Sequence, residues 1–279
     1  MTLRLSHGGE RSRMRILHHN AHDTAPAAPR AGAVGALSWV LLLAIAVSAP
    51  FRSGWLQWPD APVLAGVPIF TALIEGLGPL IAASALACFS AHARRPVTLT
   101  GGRPARAIAM AVVVPLAFAA VGAINGHAMS AALIGTTTLV YCVMEESAWR
   151  GALHNRLSGY APTRRALVIG GTWYLWHLSF LAPDTTWARE LTALGCLMAG
   201  SLLLGRLADR SRSIVVVACF HLIVNVLAFN TLAAALSAPQ RFAVAALCLL
   251  AWWPLLHSAR RRGPARRAPR GSPKRLSRG

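Results

Sequence analysis

Eight apolar segments follow one another along this chain, at approximately 32–49, 63–91, 106–124, 128–148, 165–182, 190–207, 213–236 and 242–257. Each is close to the roughly 20 residues that an α-helix needs to cross the hydrocarbon of a bilayer. The second carries Pro68, Gly76, Gly78 and Pro79 and is expected to be kinked, broken or tilted. Composition agrees with the segments. The chain is 55% hydrophobic and 13% charged, against about 25% charged in soluble domains, and nine acidic residues among 279 cannot solvate a globule of this size. The apolar content excludes disorder over most of the length, and five cysteines are too few for a disulfide scaffold. The expected fold is all-α: a polytopic membrane protein of about eight transmembrane helices.

The net charge of +19 raises a nucleic-acid reading, which the distribution of charge rejects. Basic residues that bind a duplex cluster on one face of a folded domain, whereas here they sit in short groups between apolar runs. With the N-terminus in the cytoplasm, 24 Lys and Arg fall on the cytoplasmic side. Three, Arg52, Arg189 and Arg241, fall on the other. That asymmetry is the one that orients membrane proteins, and it predicts an N-in, C-in arrangement. Residues 1–31 are read as a disordered basic leader and residues 259–279 as a disordered basic tail that meets anionic lipid. Between them, residues 32–258 form the membrane domain. A 30-residue polar leader is long for the charged region of a signal peptide, so the first segment is expected to be retained.

The cysteines, Cys88, Cys142, Cys196, Cys219 and Cys248, all lie in apolar segments and none is spaced as a metal or redox pair. They read as small hydrophobes. His18, His19 and His22 lie in the polar leader and carry no site. Chemistry is therefore sought where polar groups lie at membrane depth, each costing about 2.5–3.5 kcal/mol on insertion scales. Three places qualify. The fourth segment ends in Glu145-Glu146-Ser147-Ala148-Trp149-Arg150-Gly151, the fifth contains Trp173-Tyr174-Leu175-Trp176-His177-Leu178, and the seventh contains His221-Leu222-Ile223-Val224-Asn225.

Helical spacing sorts these residues. Glu146 and Arg150 are four apart and share a face, so they form an ion pair that lowers the penalty of burying both. Glu145 points about 100° away and has no partner on its own helix. A desolvated, unpaired carboxylate makes a good general base. His221 and Asn225 are again four apart and converge on one spot. Counted inward from the basic helix ends, all these groups lie roughly 8 to 20 Å deep and are expected to meet in one cavity opening toward the cytoplasm.

At this point the three motifs become recognisable together. Glu145-Glu146-x-x-x-Arg150, an aromatic four residues before His at Trp173 and His177, and His221-x-x-x-Asn225 resemble the CAAX prenyl protease 2 and bacteriocin-processing (CPBP, abortive-infection) family of intramembrane endopeptidases. The likeness covers a motif core at 128–229, and Trp149-Arg150-Gly151 and Trp176-His177-Leu178 reinforce it. Trp173 departs from the pattern, standing where phenylalanine is usual. The resemblance implies peptide-bond hydrolysis by an activated water. Glu145 would be the base, His177 would hold the water, and His221 and Asn225 would form the oxyanion hole. Glu146 and Arg150 would shape the site, with Trp173 in support. No cofactor is expected. The alternative, zinc on Glu145, His177 and His221, is disfavoured because no His-Glu-x-x-His helix is present and an amide is a poor ligand but a good donor.

The expected partner is a membrane-anchored protein or peptide, such as a lipidated C-terminus, a leader or a C-terminal sorting tail. The expected home is a bacterial plasma membrane. Two other classes stay open on the residues alone. A non-catalytic immunity or scaffold protein of the same fold would not need Glu145. A secondary transporter would also bury Glu, Arg and His, but it would show broken helices at matching places in two halves, which this chain lacks.

Overall fold

The computed structural model describes residues 32–56, 58, 63–88, 96–178, 185–229 and 235–257. The expected leader, 1–31, and tail, 259–279, lie outside the described residues. Each apolar segment becomes one helical rod: α1 Ala33–Arg52, α2 Ile69–Cys88, α3 Pro104–Ala123, α4 Ala128–Glu146, α5 Pro162–His177, α6 Trp187–Ser211, α7 Ile214–Val224 and α8 Ala238–His257. The protein is all-helical, and among the described residues extended backbone is limited to two isolated bridges, Leu64 with Val67 and Thr98 with Ser213. By length and composition five helices can cross a membrane: α1, α3, α4 with its continuation to Arg156, α6 and α8. The apolar stretches in α2 and α7 are shorter. α5 has 16 residues and carries Arg164 and Arg165 in its first turn.

The expected disruption of α2 has a specific resolution. Residues 64–67 form a turn, with positive φ at Ala65 and Gly66, and the helix begins at Ile69. Pro79 lies inside it without ending it. A proline frees the carbonyl four residues back, which in lipid must find another donor. That carbonyl belongs to Glu75, and Ser48 Oγ of α1 donates to it at 2.9 Å. Gly78 lets the two helices approach closely enough for this bond. A Cβ there would stand 2.2 Å from Ser48 Oγ and 2.3 Å from the Ala44 carbonyl oxygen. Gly78→Val is therefore expected to force α1 and α2 apart at a penalty of about 1–3 kcal/mol, the usual range for overpacking. The check is the amount of folded protein recovered from membranes, which should fall relative to wild type.

Six helices close a ring in the order α1, α2, α4, α7, α6, α5 and back to α1, while α3 packs outside against α4 and α7, and α8 packs against α3 and the turn that follows α7. One end of the ring is tied together by several polar links. Asn155 exchanges hydrogen bonds with the backbone of Val97, and the Thr98 amide donates to the Arg212 carbonyl. Asp209 of α6 accepts two bonds from Arg165 of α5 and contacts His154 Nε2 at 3.0 Å. The opposite end carries Arg52, Arg189, Glu190 and the start of α4, where Ser130 Oγ donates to the Ala65 carbonyl. Trp55 and Trp187 stand exposed at this second end, and Trp39 and Trp253 are exposed toward the first. Aromatic residues at both ends are what two membrane–water interfaces select.

Candidate active site

The ring encloses a cavity of about 520 Å³. Its walls include Arg52 of α1, Glu75 of α2, Tyr141 and Glu145 of α4, Trp173 and His177 of α5, and His221 and Asn225 of α7 and the turn that follows. α6 supplies one continuous stripe, Arg189, Ala193, Cys196, Leu197, Gly200 and Leu204. The floor is closed: Glu145, Trp173, His221 and Leu204 are all buried. Toward the other end Arg189 and Val224 are exposed and Arg52, Glu75, Tyr174 and Glu190 are half-buried among the described residues.

Glu145, at the floor, is held from two directions. The Trp173 indole Nε1 donates to its Oε2 at 3.0 Å, across the ring from α5. The Tyr141 hydroxyl, one turn earlier on α4, donates as well, and Arg52 Nη2 donates in turn to that hydroxyl. The expectation that Glu145 has no partner on its own helix is therefore overturned. Position 141 is four residues back and shares its face. Trp173 supplies an N–H that the phenylalanine usual at this position lacks. His177 turns its Nδ1 to the Trp173 carbonyl at 2.9 Å, and its side chain lines the cavity.

Glu146 faces away from the cavity. Its Oε1 pairs with Arg150 Nη1 at 3.0 Å, as the four-residue spacing predicts, and both side chains are inaccessible to solvent. The Arg150 guanidinium also lies 4.6 Å from the centre of the Trp173 ring, and the Trp149 and Trp176 rings pack 5.9 Å apart beside it. His221 Nδ1 approaches the same Glu146 oxygen to 2.9 Å, as a charge contact without hydrogen-bond alignment, and its ring stands edge-on to Trp173. A buried Glu–Arg–His–Trp cluster thus forms the underside of the cavity floor.

His221 and Asn225 both line the cavity but do not converge on one atom. Asn225 Nδ2 donates to Cys142 Sγ at 3.3 Å. A thiol is a weak acceptor, easily exchanged for a better one. Directly after Glu146 the chain enters a π-helical turn, Ser147–Leu153, and a second, Asn225–Phe229, starts at Asn225 itself. Such turns are rare and gather at functional sites, because one extra residue per turn re-aims the side chains beside it. Nothing in the residue pattern announces them.

The sequence reading missed three residues: Arg52, Glu75 and Tyr141. Arg52 Nε lies 3.3 Å from Glu75 Oε2, and its guanidinium stands 5.0 Å from the Trp176 ring. Glu75 had a legible signal, as the one acid in its apolar segment, and Tyr141 had its spacing from Glu145. Arg52 had none, since at the end of its segment it counts as a loop charge.

Among the described residues no three His, Cys, Asp or Glu side chains stand together as a set that could hold a metal ion. Glu145, His177 and His221 share the cavity, with His221 Nδ1 at Glu146 and His177 Nδ1 at a backbone carbonyl. Residues 127–227 match the family model described as type II CAAX prenyl endopeptidase Rce1-like. No curated protein matches the chain.

Proposed function

We propose that this chain, whose residues 127–227 match the family model of Rce1-like, type II CAAX prenyl endopeptidases, hydrolyses a peptide bond of a membrane-anchored protein or peptide inside its helical ring. One observation carries the reading. The carboxylate of Glu145 sits at the floor of a membrane-depth cavity, held by two donors, with His177 and His221 on the adjoining walls. Glu145 takes a proton from a water as the water oxygen attacks the scissile carbonyl, and the proton passes to the leaving amine. His177 holds the water. His221 and Asn225 donate to the oxyanion, and Asn225 does so by releasing the Cys142 thiol. Glu146 and Arg150 are positioning residues, acting through Trp173 and His221. The cavity volume lies within the range of about 300–1,000 Å³ usual for ligand sites, enough for a short unfolded segment and too small for a folded domain.

We read the protein as an integral protein of a bacterial plasma membrane with eight spans and both ends in the cytoplasm. The 24-to-3 distribution of basic residues and the eight rods support that reading. The test of activity is a comparison of protein termini in membranes from cells carrying the wild-type chain or Glu145→Gln. New termini that depend on Glu145 support an endopeptidase, and identical sets of termini refute it.

The metal-free mechanism has its own test. Asn225→Ala is expected to lower turnover by about 10²–10³, as loss of one oxyanion donor does elsewhere. Substrate affinity should change little, because that bond strengthens only as charge develops. Asn225→Asp should be at least as harmful, since it places a negative charge where the oxyanion forms. Stoichiometric zinc in active protein, together with an active Asn225→Asp variant, would overturn the mechanism.

A further inference from the structure

We infer that Arg52 and Tyr141 are positioning residues for Glu145: the arginine fixes where the Tyr141 hydroxyl points its proton, and the hydroxyl, together with the Trp173 indole, fixes the carboxylate. Neither residue lies in the three motif segments. Their role rests on the endopeptidase reading, in which Glu145 activates the water.

The direction of this chain of donors is set by chemistry. A guanidinium carries only donors, whereas a phenol carries one proton and accepting lone pairs. Arg52 Nη2 donates to the Tyr141 hydroxyl oxygen, so the single phenol proton is left to point at another acceptor. Glu145 supplies that acceptor. It lies four residues on along the same face of α4 and takes the hydrogen bond. A hydroxyl that accepts from a cation is also a stronger donor, because hydrogen bonds in a chain polarise one another. The Trp173 indole, again a donor only, binds Glu145 Oε2 at 3.0 Å. An ionised carboxylate has about four lone-pair sites, so two donors hold it and leave the rest to the attacking water.

Packing keeps each member in place. Arg52 Nε lies 3.3 Å from Glu75 Oε2 on α2, and the guanidinium stands 5.0 Å from the centre of the Trp176 ring on α5. One turn earlier on α1, Ser48 Oγ donates to the Glu75 carbonyl at 2.9 Å, so side chain and backbone of one residue are both tied to α1. The Tyr141 ring lies against α2 at Gly76, where a Cβ would stand 3.1 Å from Tyr141 Cδ2. Arg52, Glu75, Tyr141 and Glu145 all line the same cavity. In this way α1, which carries none of the motif residues, reaches the base.

The test uses the purified full chain in detergent. Its probe is a synthetic peptide spanning a cleavage site found by comparing termini in wild-type and Glu145→Gln membranes. Tyr141→Phe keeps the ring against Gly76 and removes only the oxygen, while Arg52→Met removes the donor and keeps much of the side chain. Each is expected to lower kcat about 10- to 100-fold, short of the loss of the base itself. For Tyr141→Phe, KM and thermal stability should change little. The double variant Tyr141→Phe/Arg52→Met should fall no further than the more impaired single one, because both changes break one chain. Losses that multiply would show that arginine and hydroxyl act separately, and would overturn the inference. So would a wild-type kcat in Tyr141→Phe, a raised KM with kcat unchanged, or a fall in kcat accompanied by lost thermal stability in that variant. If no termini depend on Glu145, the endopeptidase reading fails and the inference with it. Glu145-dependent cleavage that is indifferent to Tyr141→Phe refutes the inference alone.

Discussion

Glu145→Gln is expected to abolish measurable hydrolysis while the protein accumulates at close to the wild-type level. Glutamine keeps the shape of the side chain and one oxygen that accepts from Trp173 or Tyr141, so the floor of the cavity stays packed. What it lacks is a basic oxygen to take the proton of the attacking water. A positioned base contributes about 10²–10⁴ in rate, and the loss should reach that scale. The measurement is turnover of a defined substrate by purified protein in detergent or vesicles, with protein amount measured in parallel. Near-normal turnover would show that another group activates the water. A fall in protein amount matching the fall in rate would show that Glu145 holds the fold instead.

Arg150→Ala is expected to act in the opposite way, on the amount of folded protein first. The guanidinium is inaccessible, pairs with Glu146 and lies over the Trp173 ring, so its removal leaves a buried carboxylate facing only His221. Breaking one side of a buried pair is worth about 3–5 kcal/mol, comparable with the whole stability of many domains. Glu146→Gln should lower stability in the same direction, since it strands the arginine. The double variant Glu146→Leu/Arg150→Met removes both charges and should recover much of the lost protein, because a buried ion pair replaced by apolar groups of similar size is often neutral. Thermal stability in detergent distinguishes the outcomes. If the double variant is as unstable as the singles, the network contributes through its hydrogen-bonding geometry and not through charge balance.

The fold was largely legible because lipid constrains the chain so strongly. Each apolar segment had to be a helix with internal hydrogen bonds, and the eight segments and the eight rods coincide to within a few residues at most ends. One of the exceptions is instructive. The second apolar segment loses its first residues to a turn, and Pro79 is accommodated because Ser48, on another helix, donates to the carbonyl it frees. That repair depends on a neighbour and could not be read from α2 alone.

Spacing along single helices determined which functional residues share a face: Glu146 with Arg150, and, had it been followed one turn back, Glu145 with Tyr141. It determined this because helical pitch is local and does not depend on the rest of the fold. Charge between the segments determined the expected orientation for a similar reason, since it reports on loops and not on packing. Tertiary structure decided what no local rule reaches. It set the Trp173 indole against Glu145 and turned His221 toward Glu146. It brought Arg52 from the far end of α1 onto Tyr141.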